Sequence, residues 1–127
     1  MFHSFDVSAS ALTAERIRMD TIAANIANID TPFSKNGVGY RRLYPVFQAQ
    51  ANGGVTVTKI EADQSPLKGK YQPWSPDANA QGYVFYPNVS LSTENVNALE
   101  ASRMYQANVT AIQTTKAMIT ATLGIIA

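Results

Sequence analysis

Apolar residues recur with a period close to seven at both ends of this chain, and that periodicity constrains its fold more than any other feature. Over residues 5–29 the series consists of Phe5, Leu12, Met19, Ile22, Ile26 and Ile29. Over residues 90–127 it consists of Tyr105, Val109, Ile112, Ile119, Leu123 and Ile126. This spacing places each set on one side of an α-helix. The sequence therefore predicts a long helix at each end, and the two apolar sides are the predicted packing surfaces.

Local signals mark where these helices begin and end. Thr31-Pro32 ends the first helix, because proline disfavours helical geometry in the residue before it. Ser92 is the predicted N-cap of the second helix, and Glu94 suits the positive end of its dipole.

The middle of the chain changes to a period of two, which is typical of strands. Residues 55–60 alternate apolar and polar side chains. The turn Asn52-Gly53-Gly54 precedes them and predicts a hairpin with residues 44–50, where Pro45 favours an edge strand. Residues 83–86 form one more short candidate strand. Trp74 lies among prolines, and we expect it to anchor the packing of this insert.

These patterns together predict an α+β fold. Its long N- and C-terminal helices pack as a coiled-coil-like layer around a small β-rich, extended central insert. The predicted divisions are residues 1–32 for the first helix, 33–89 for the insert and 90–127 for the second helix. The two helical parts are expected to pair as one helical domain.

Composition excludes several classes of function. The net charge is +1, so a strong electrostatic case for nucleic-acid binding is missing. The chain has no cysteine and one histidine, His3, which leaves no thiol chemistry and no material for a histidine-rich metal centre or a catalytic triad. We therefore expect no catalytic, metal-binding or cofactor-binding residues. The apolar runs also predict neither a cleaved signal peptide nor a membrane span.

The second helix is unusually poor in charge. From residue 98 to residue 127 its charged residues are Glu100, Arg103 and Lys116. A helix at a water-facing surface normally carries a charged side opposite its apolar stripe. This helix suits surroundings made of other helices, which two helices from one chain cannot supply. The sequence thus indicates an assembly, with a weakly charged helix in a monomer as the alternative.

A motif that begins in the last part of the first helix adds a family resemblance. The run from Ala24 to Pro32, followed by Gly39-Tyr40-Arg41-Arg42, resembles the N-terminal signature of bacterial flagellar axial proteins, the rod, hook and hook-associated subunits. Residues 33–38 separate the two halves, and this longer spacer is similar to that of the proximal-rod branch. The motif residues here are Asn25, Asn28, Thr31, Pro32, Gly39, Tyr40 and Arg41.

A second motif at the other end resembles the same branch. It comprises residues 82–89 and 100–109, and the resemblance is weakest over residues 59–80. Its motif residues are Pro87, Asn88, Glu100, Ser102, Arg103, Tyr105, Gln106 and Asn108. The order of the two motifs and the short chain favour a rod subunit over hook-type proteins, which carry large inserted domains.

The resemblance implies a structural role without enzymatic activity. It implies a subunit of the basal-body proximal rod, beneath the cell surface, that leaves the cytoplasm through the flagellar type III export apparatus without a cleaved signal. Implied partners are further copies of the chain, the other proximal-rod protein, the export-gate adaptor and the next rod segment. The alternatives are another axial protein, such as a different rod subunit, or an enzyme that acts on the cell wall.

The polar motif residues also carry interpretations of their own. Asn25 and Asn28 share one helix side, where their amides can bind backbone groups, bind a neighbouring subunit or simply face water. Arg103 is placed to pair with Glu100 within the helix or with a neighbouring subunit. Glu61 and Asp63 share one strand side, and we interpret them as a solvated strand end rather than an acid–base pair.

Overall fold

Two antiparallel helices form the long axis of the structure, a computed structural model that describes residues 2–126. Helix α1 is Phe2–Ala27 and helix α2 is Leu91–Ile126. At 1.5 Å per residue they are about 39 and 54 Å long. Their antiparallel arrangement is visible where Phe2 lies beside Leu123 at one end. The predicted α+β class with two long helices and a small β insert is confirmed.

The helix boundaries differ from the prediction by a few residues. Helix α1 begins before the predicted residue 5 and gives way to a turn after Ala27, so Ile29 lies outside it. The predicted N-cap Ser92 is wrong. Ser90 occupies that position, because its carbonyl accepts the Glu94 N–H at 2.9 Å and its hydroxyl lies 3.5 Å from the Thr93 N–H. The predicted outer limits, Met1 and Ala127, lie outside the described residues.

Two antiparallel hairpins make up the insert. Strand β1, Leu43–Ala49, pairs with strand β2, Val55–Ala62, as the alternation and the glycine turn predict. Pro45 is accommodated beside an irregularity in the register between Val46 and Phe47.

The second hairpin was only half predicted. Strand β4, Tyr83–Tyr86, is the expected short strand, and its partner is strand β3, Lys68–Tyr71. The sequence of β3 has two lysines and a glycine without apolar alternation, so no strand signal was visible there.

Helix α1 lies between the first hairpin and α2. It packs against β1 and β2 on one side and against α2 on another, whereas α2 packs against no strand among the described elements. The Ser10 hydroxyl fixes the hairpin to the helix by accepting the Val55 N–H at 3.1 Å. The half-buried residues along α2 are therefore shielded chiefly by α1.

The predicted packing residues divide into three groups by exposure. Ile22 is buried. The half-buried ones are Phe5, Leu12, Met19, Ile26, Ile29, Tyr105, Val109, Ile112 and Ile119. Leu123 and Ile126 are 61% and 77% exposed, so the last turns of α2 extend beyond the cover that α1 provides.

Helix α2 is apolar enough, by length and composition, to cross a membrane. Its most apolar stretch of 18 residues reaches a mean hydropathy of 1.2, and none of that stretch is buried. The sequence predicts no membrane span because it lacks a long uninterrupted apolar run: Thr120 and Thr122 interrupt the best candidate. Helix α2 therefore combines an apolar composition with little burial inside this chain.

Candidate functional site: a polar network that joins both helices to the insert

The motif residues from the two ends of the chain meet in one place. Asn25 lies in the last turn of α1 and is 1% exposed, and Glu94 in the first turn of α2 is fully buried. The insert contributes further polar side chains from the segment before β1 and from the end of β2. We call this set the central polar network, and it comprises Asn25, Tyr40, Arg41, Arg42, Asp63, Asn88 and Glu94.

Asn25 lies at the centre of the network. Its Oδ1 accepts the Tyr40 hydroxyl at 2.7 Å and the Leu43 N–H at 2.9 Å. Its Nδ2 donates to the Leu43 carbonyl at 2.8 Å and to Glu94 Oε2 at 3.4 Å. Asn25 binds backbone groups, as one of its three interpretations expects, but these groups belong to Leu43 at the start of β1 and not to the helix end.

An arginine links the two acidic members of the network. Arg42 Nε donates to Glu94 Oε1 at 2.6 Å, and Arg42 Nη1 lies 3.4 Å from Asp63 Oδ2. A fully buried carboxylate is tolerated only when it is paired and hydrogen-bonded, and Arg42 together with Asn25 meets both conditions for Glu94. These contacts fix the start of α2 to the insert.

Asn88 and Arg41 close the network around the end of β2. Asn88 Oδ1 accepts the Arg42 N–H at 2.9 Å, and its Nδ2 donates to the carbonyls of Asp63 and Ser65 at 3.0 and 3.1 Å. Arg41 donates to the same two carbonyls. Arg41 and Asn88 therefore donate hydrogen bonds to backbone carbonyls of the bend that follows β2, which pairs with no strand among the described residues.

The titration behaviour of the network follows from these contacts. The hydroxyl and N–H of Ser65 hold the pKa of Asp63 below its usual value, and Arg42 adds to this effect. Burial raises the pKa of Tyr40, and the nearby Glu94 carboxylate raises it further. Tyr40 therefore remains a hydrogen-bond donor to Asn25 throughout the physiological pH range.

The other motif residues lie outside the network. Asn28 donates only to the Ala24 carbonyl of its own helix, at 2.8 Å. Gly39 lies beneath the ring of Phe33, where a side chain would clash with the ring carbons, so glycine is required there. Pro87 is buried, Pro32 is half-buried and Thr31 is exposed.

The motif on α2 lies along the helix rather than in the network. Ser102, Arg103 and Gln106 are exposed, and Asn108 donates to the Met104 carbonyl at 2.8 Å. Glu100 pairs with Arg18 of α1 at 3.5 Å, so the pair within α2 that was considered for Arg103 is not formed. Tyr105, in both the motif and the packing set, is half-buried.

Sequence reasoning missed three members of the network. In the sequence, Arg42 stands out only as part of a basic run, Glu94 only as a favourable charge at the helix dipole, and Asp63 only as a solvated strand end. Arg42 and Glu94 are 52 residues apart in the sequence, and a contact between such distant residues leaves no local sequence signal. Glu61, two residues before Asp63, was also considered for acid–base work, but Lys59 and Tyr44 each bind it and lower its pKa.

One aromatic prediction is wrong. Trp74 does not anchor the insert, because it is 79% exposed. The loop around it is held by backbone bonds instead, including Ser75 N–H to the Gln72 carbonyl at 3.0 Å and Gln72 N–H to the Gly82 carbonyl at 2.9 Å.

Comparison with known proteins places these features in a family. The family model described as "Flagella basal body rod protein" matches residues 5–32, and the one described as "Flagellar basal body rod FlgEFG protein C-terminal" matches residues 80–125. The matched ranges hold Asn25, Asn88 and Glu94 of the network.

Full-length relatives show the same relationship. The flagellar basal-body rod protein FlgC of Bacillus subtilis strain 168 is 43% identical, covering 98% of this chain and 97% of the relative. That of Salmonella typhimurium is 41% identical (97% and 96%), and that of Borreliella burgdorferi is 38% identical (99% and 97%). With such identity over nearly the whole length, the chain belongs to the FlgC family of flagellar basal-body rod proteins.

Proposed function

We propose that this chain is a structural subunit of the proximal rod, and that copies of it assemble into the tubular shaft that transmits torque from motor to hook. The observation that carries the proposal is the uncovered apolar side of α2. Val96, Leu99, Met104 and Met118 are each between 47% and 65% exposed. Large apolar side chains that recur exposed along a long helix support an interface with other chains.

In this proposal the chain acts only by packing against neighbouring subunits. Helices α1 and α2 form an α-helical layer that lines the tube, and the insert lies outside and contacts neighbouring subunits. Two different surfaces of one chain that contact each other without closing a ring generate a helical filament. The central polar network serves this role by holding the insert at a fixed angle to the helices, so that every subunit presents the same surfaces.

The partners follow from the same proposal. They are further copies of the chain, the other proximal-rod protein, the export-gate adaptor and the next rod segment. Before assembly the chain passes through the flagellar type III export apparatus. We assign it no catalytic role. The carboxylates Glu61, Asp63 and Glu94 are all engaged by neighbouring side chains, which supports a structural function.

The experiment is complementation in a flagellated bacterium from which the gene for this chain has been deleted. A tagged copy should restore swimming, and the tag should co-purify with isolated basal bodies and remain with the rod. Restored swimming with basal bodies that lack the tag would overturn the proposal. Purified chain should also leave cell-wall material intact in a zymogram, and clearing of that material would favour the enzymatic alternative.

A further inference from the structure

The insert presents a large aromatic side chain, Trp74, that is 79% exposed in its own chain. Trp74 is flanked by Pro73 and lies in a loop, residues 72–82, that is closed by several backbone hydrogen bonds. Asn79 Oδ1 stabilises the loop further by accepting the N–H groups of Gln81 and Tyr83, each at 3.0 Å. A large ring held on a rigid loop loses little conformational entropy on binding, which is typical of an interface anchor.

The same insert carries a cleft that fits such a ring. The cleft has a volume of about 240 Å³. A closed apolar cavity of about 150 Å³ accepts benzene, so this space is sufficient for an indole. The apolar walls are formed by Phe33, Leu67, Tyr83 and Phe85.

The polar groups at the cleft also suit an indole. Lys35 and Arg41 line it and supply cations, which bind most strongly over the face of tryptophan among the aromatic rings. Asp77 also lines it, and its carboxylate accepts no hydrogen bond among the described residues, so it is available to the indole N–H.

We infer that Trp74 of one copy inserts into the cleft between Phe33 and Phe85 of a second copy. Both halves of the contact lie on one chain, so the contact can repeat from copy to copy and extend a polymer. This inference rests on the proposed function, because it describes how the inserts of neighbouring rod subunits contact each other.

The absence of cysteine from the chain makes a direct test possible. Two differently tagged copies are expressed together in the deletion strain, one with Trp74→Cys and the other with Ser34→Cys, a residue that lines the cleft. Oxidised basal bodies should contain a disulfide-linked product that carries both tags. In the matched control, Gln48→Cys on the exposed part of β1 replaces Ser34→Cys and should give no such product.

A second variant measures the energetic weight of the contact. Trp74→Ala should lower the number of basal bodies per cell by on the order of tenfold or more, as expected for an interface anchor, and Trp74→Phe should restore most of it. Because Trp74 is 79% exposed, neither change should alter the fold, and circular dichroism of the purified variants verifies this.

Three results would overturn the inference. These are the absence of the doubly tagged product in assembled basal bodies, an equal product from the Gln48→Cys control, or normal basal-body numbers with Trp74→Ala. Disulfide capture of a different rod protein at Trp74→Cys would show that the occupant is not a second copy. A tagged wild-type chain that is missing from basal bodies would instead contradict the proposed function, so the two failures are distinguishable.

Discussion

Every donor and acceptor of the Asn25 side-chain amide has a hydrogen-bond partner, and these partners come from three parts of the chain. This distinguishes Asn25 from Asn28 in the same motif. Asn25 binds both backbone groups of Leu43, whereas Asn28 bonds only to its own helix. A buried polar group that loses its partner costs about 1–3 kcal/mol, so the two asparagines should differ strongly in their contribution to stability.

The paired substitutions Asn25→Leu and Asn28→Leu test this difference. Asn25→Leu leaves the Leu43 N–H and the Tyr40 hydroxyl without partners and should lower the free energy of unfolding by about 2–4 kcal/mol. Asn28→Leu should lower it by less than about 1 kcal/mol. Urea unfolding of the purified variants measures both values, and equal losses would show that the network does not hold the two helices and the insert together.

Glu15 gives the helix pair a pH dependence. Its Oε2 accepts no hydrogen bond within the described chain and lies 3.5 Å from Nη1 of Arg18, whose Nη2 pairs with Glu100. Burial raises the pKa of Glu15, and Arg18 opposes this effect only in part. The folded chain therefore binds the Glu15 proton more tightly than the unfolded chain, so the Glu15 contribution to stability is present at low pH and is lost as the pH rises past the usual glutamate pKa.

Replacement of this carboxyl by an amide should remove that dependence. Glu15→Gln should raise the urea midpoint at pH 7 and leave it nearly unchanged at pH 4, relative to the wild type measured at each pH. The exposed neighbour Asp20→Asn serves as the matched control and should change neither midpoint by much. A lower midpoint for Glu15→Gln at pH 7 would show that the ion pair with Arg18 outweighs the burial of the charge.

Among the elements, the first hairpin is bound to α1 through its turn. Gly53 adopts a φ of 86°, which favours glycine or asparagine. A side chain at Gly54 would lie 2.9 Å from the Ser10 hydroxyl that fixes Val55. The turn is therefore less interchangeable than the sequence motif alone suggests.

This contact predicts which turn substitutions are tolerated. Asn52→Asp and Gly53→Asn should leave swimming intact, because both keep a compatible turn. Gly54→Val should impair it, because the added side chain displaces the Ser10 hydroxyl from the hairpin. Soft-agar swimming of the complemented strain measures the outcome, and normal swimming with Gly54→Val would show that the attachment of this turn to α1 is dispensable.

The two sides of α2 are distinguished by a second pair of substitutions. Ile112 is half-buried where α1 is the packing partner, and Thr110 is exposed. Ile112→Asp places a charge without a counter-ion in that contact, at a cost of several kcal/mol in each subunit. Basal-body yield should therefore collapse.

Thr110→Asp is the matched control. In the isolated chain it should destabilise the fold less than Ile112→Asp, and in the assembled rod it tests whether the outer side of α2 contacts neighbouring subunits. Circular dichroism before assembly separates the two effects. A normal yield of basal bodies from Ile112→Asp would mean that this stripe faces water, and the helical layer would have to be abandoned.

The helices and the first hairpin were predictable because their signals are local. Seven-residue periodicity, Pro32 and the glycine turn each act within a few residues. The central polar network was not predictable, because Asn25 and Glu94 are 69 positions apart and only the fold brings them together. Trp74 was expected to anchor the packing of the insert, whereas backbone hydrogen bonds hold its loop and the ring is 79% exposed.

For the whole molecule, the structure explains why a chain with so few charges needs an assembly. Only Glu94 and Ala101 are buried along the 36 residues of α2, so most of this apolar helix lies uncovered in the single chain. The central polar network fixes the insert to one end of the helix pair, and the rest of α2 remains available to neighbouring subunits. The proposed rod supplies the cover that one chain cannot.

Cryo-electron microscopy of intact basal bodies containing this chain tests that account most directly. The density of each subunit should place α1 and α2 in the wall that lines the central channel, with the outer side of α2 covered by helices of neighbours and the two hairpins on the outside. Subunits whose hairpins line the channel, or whose outer α2 surface faces solvent, would contradict it.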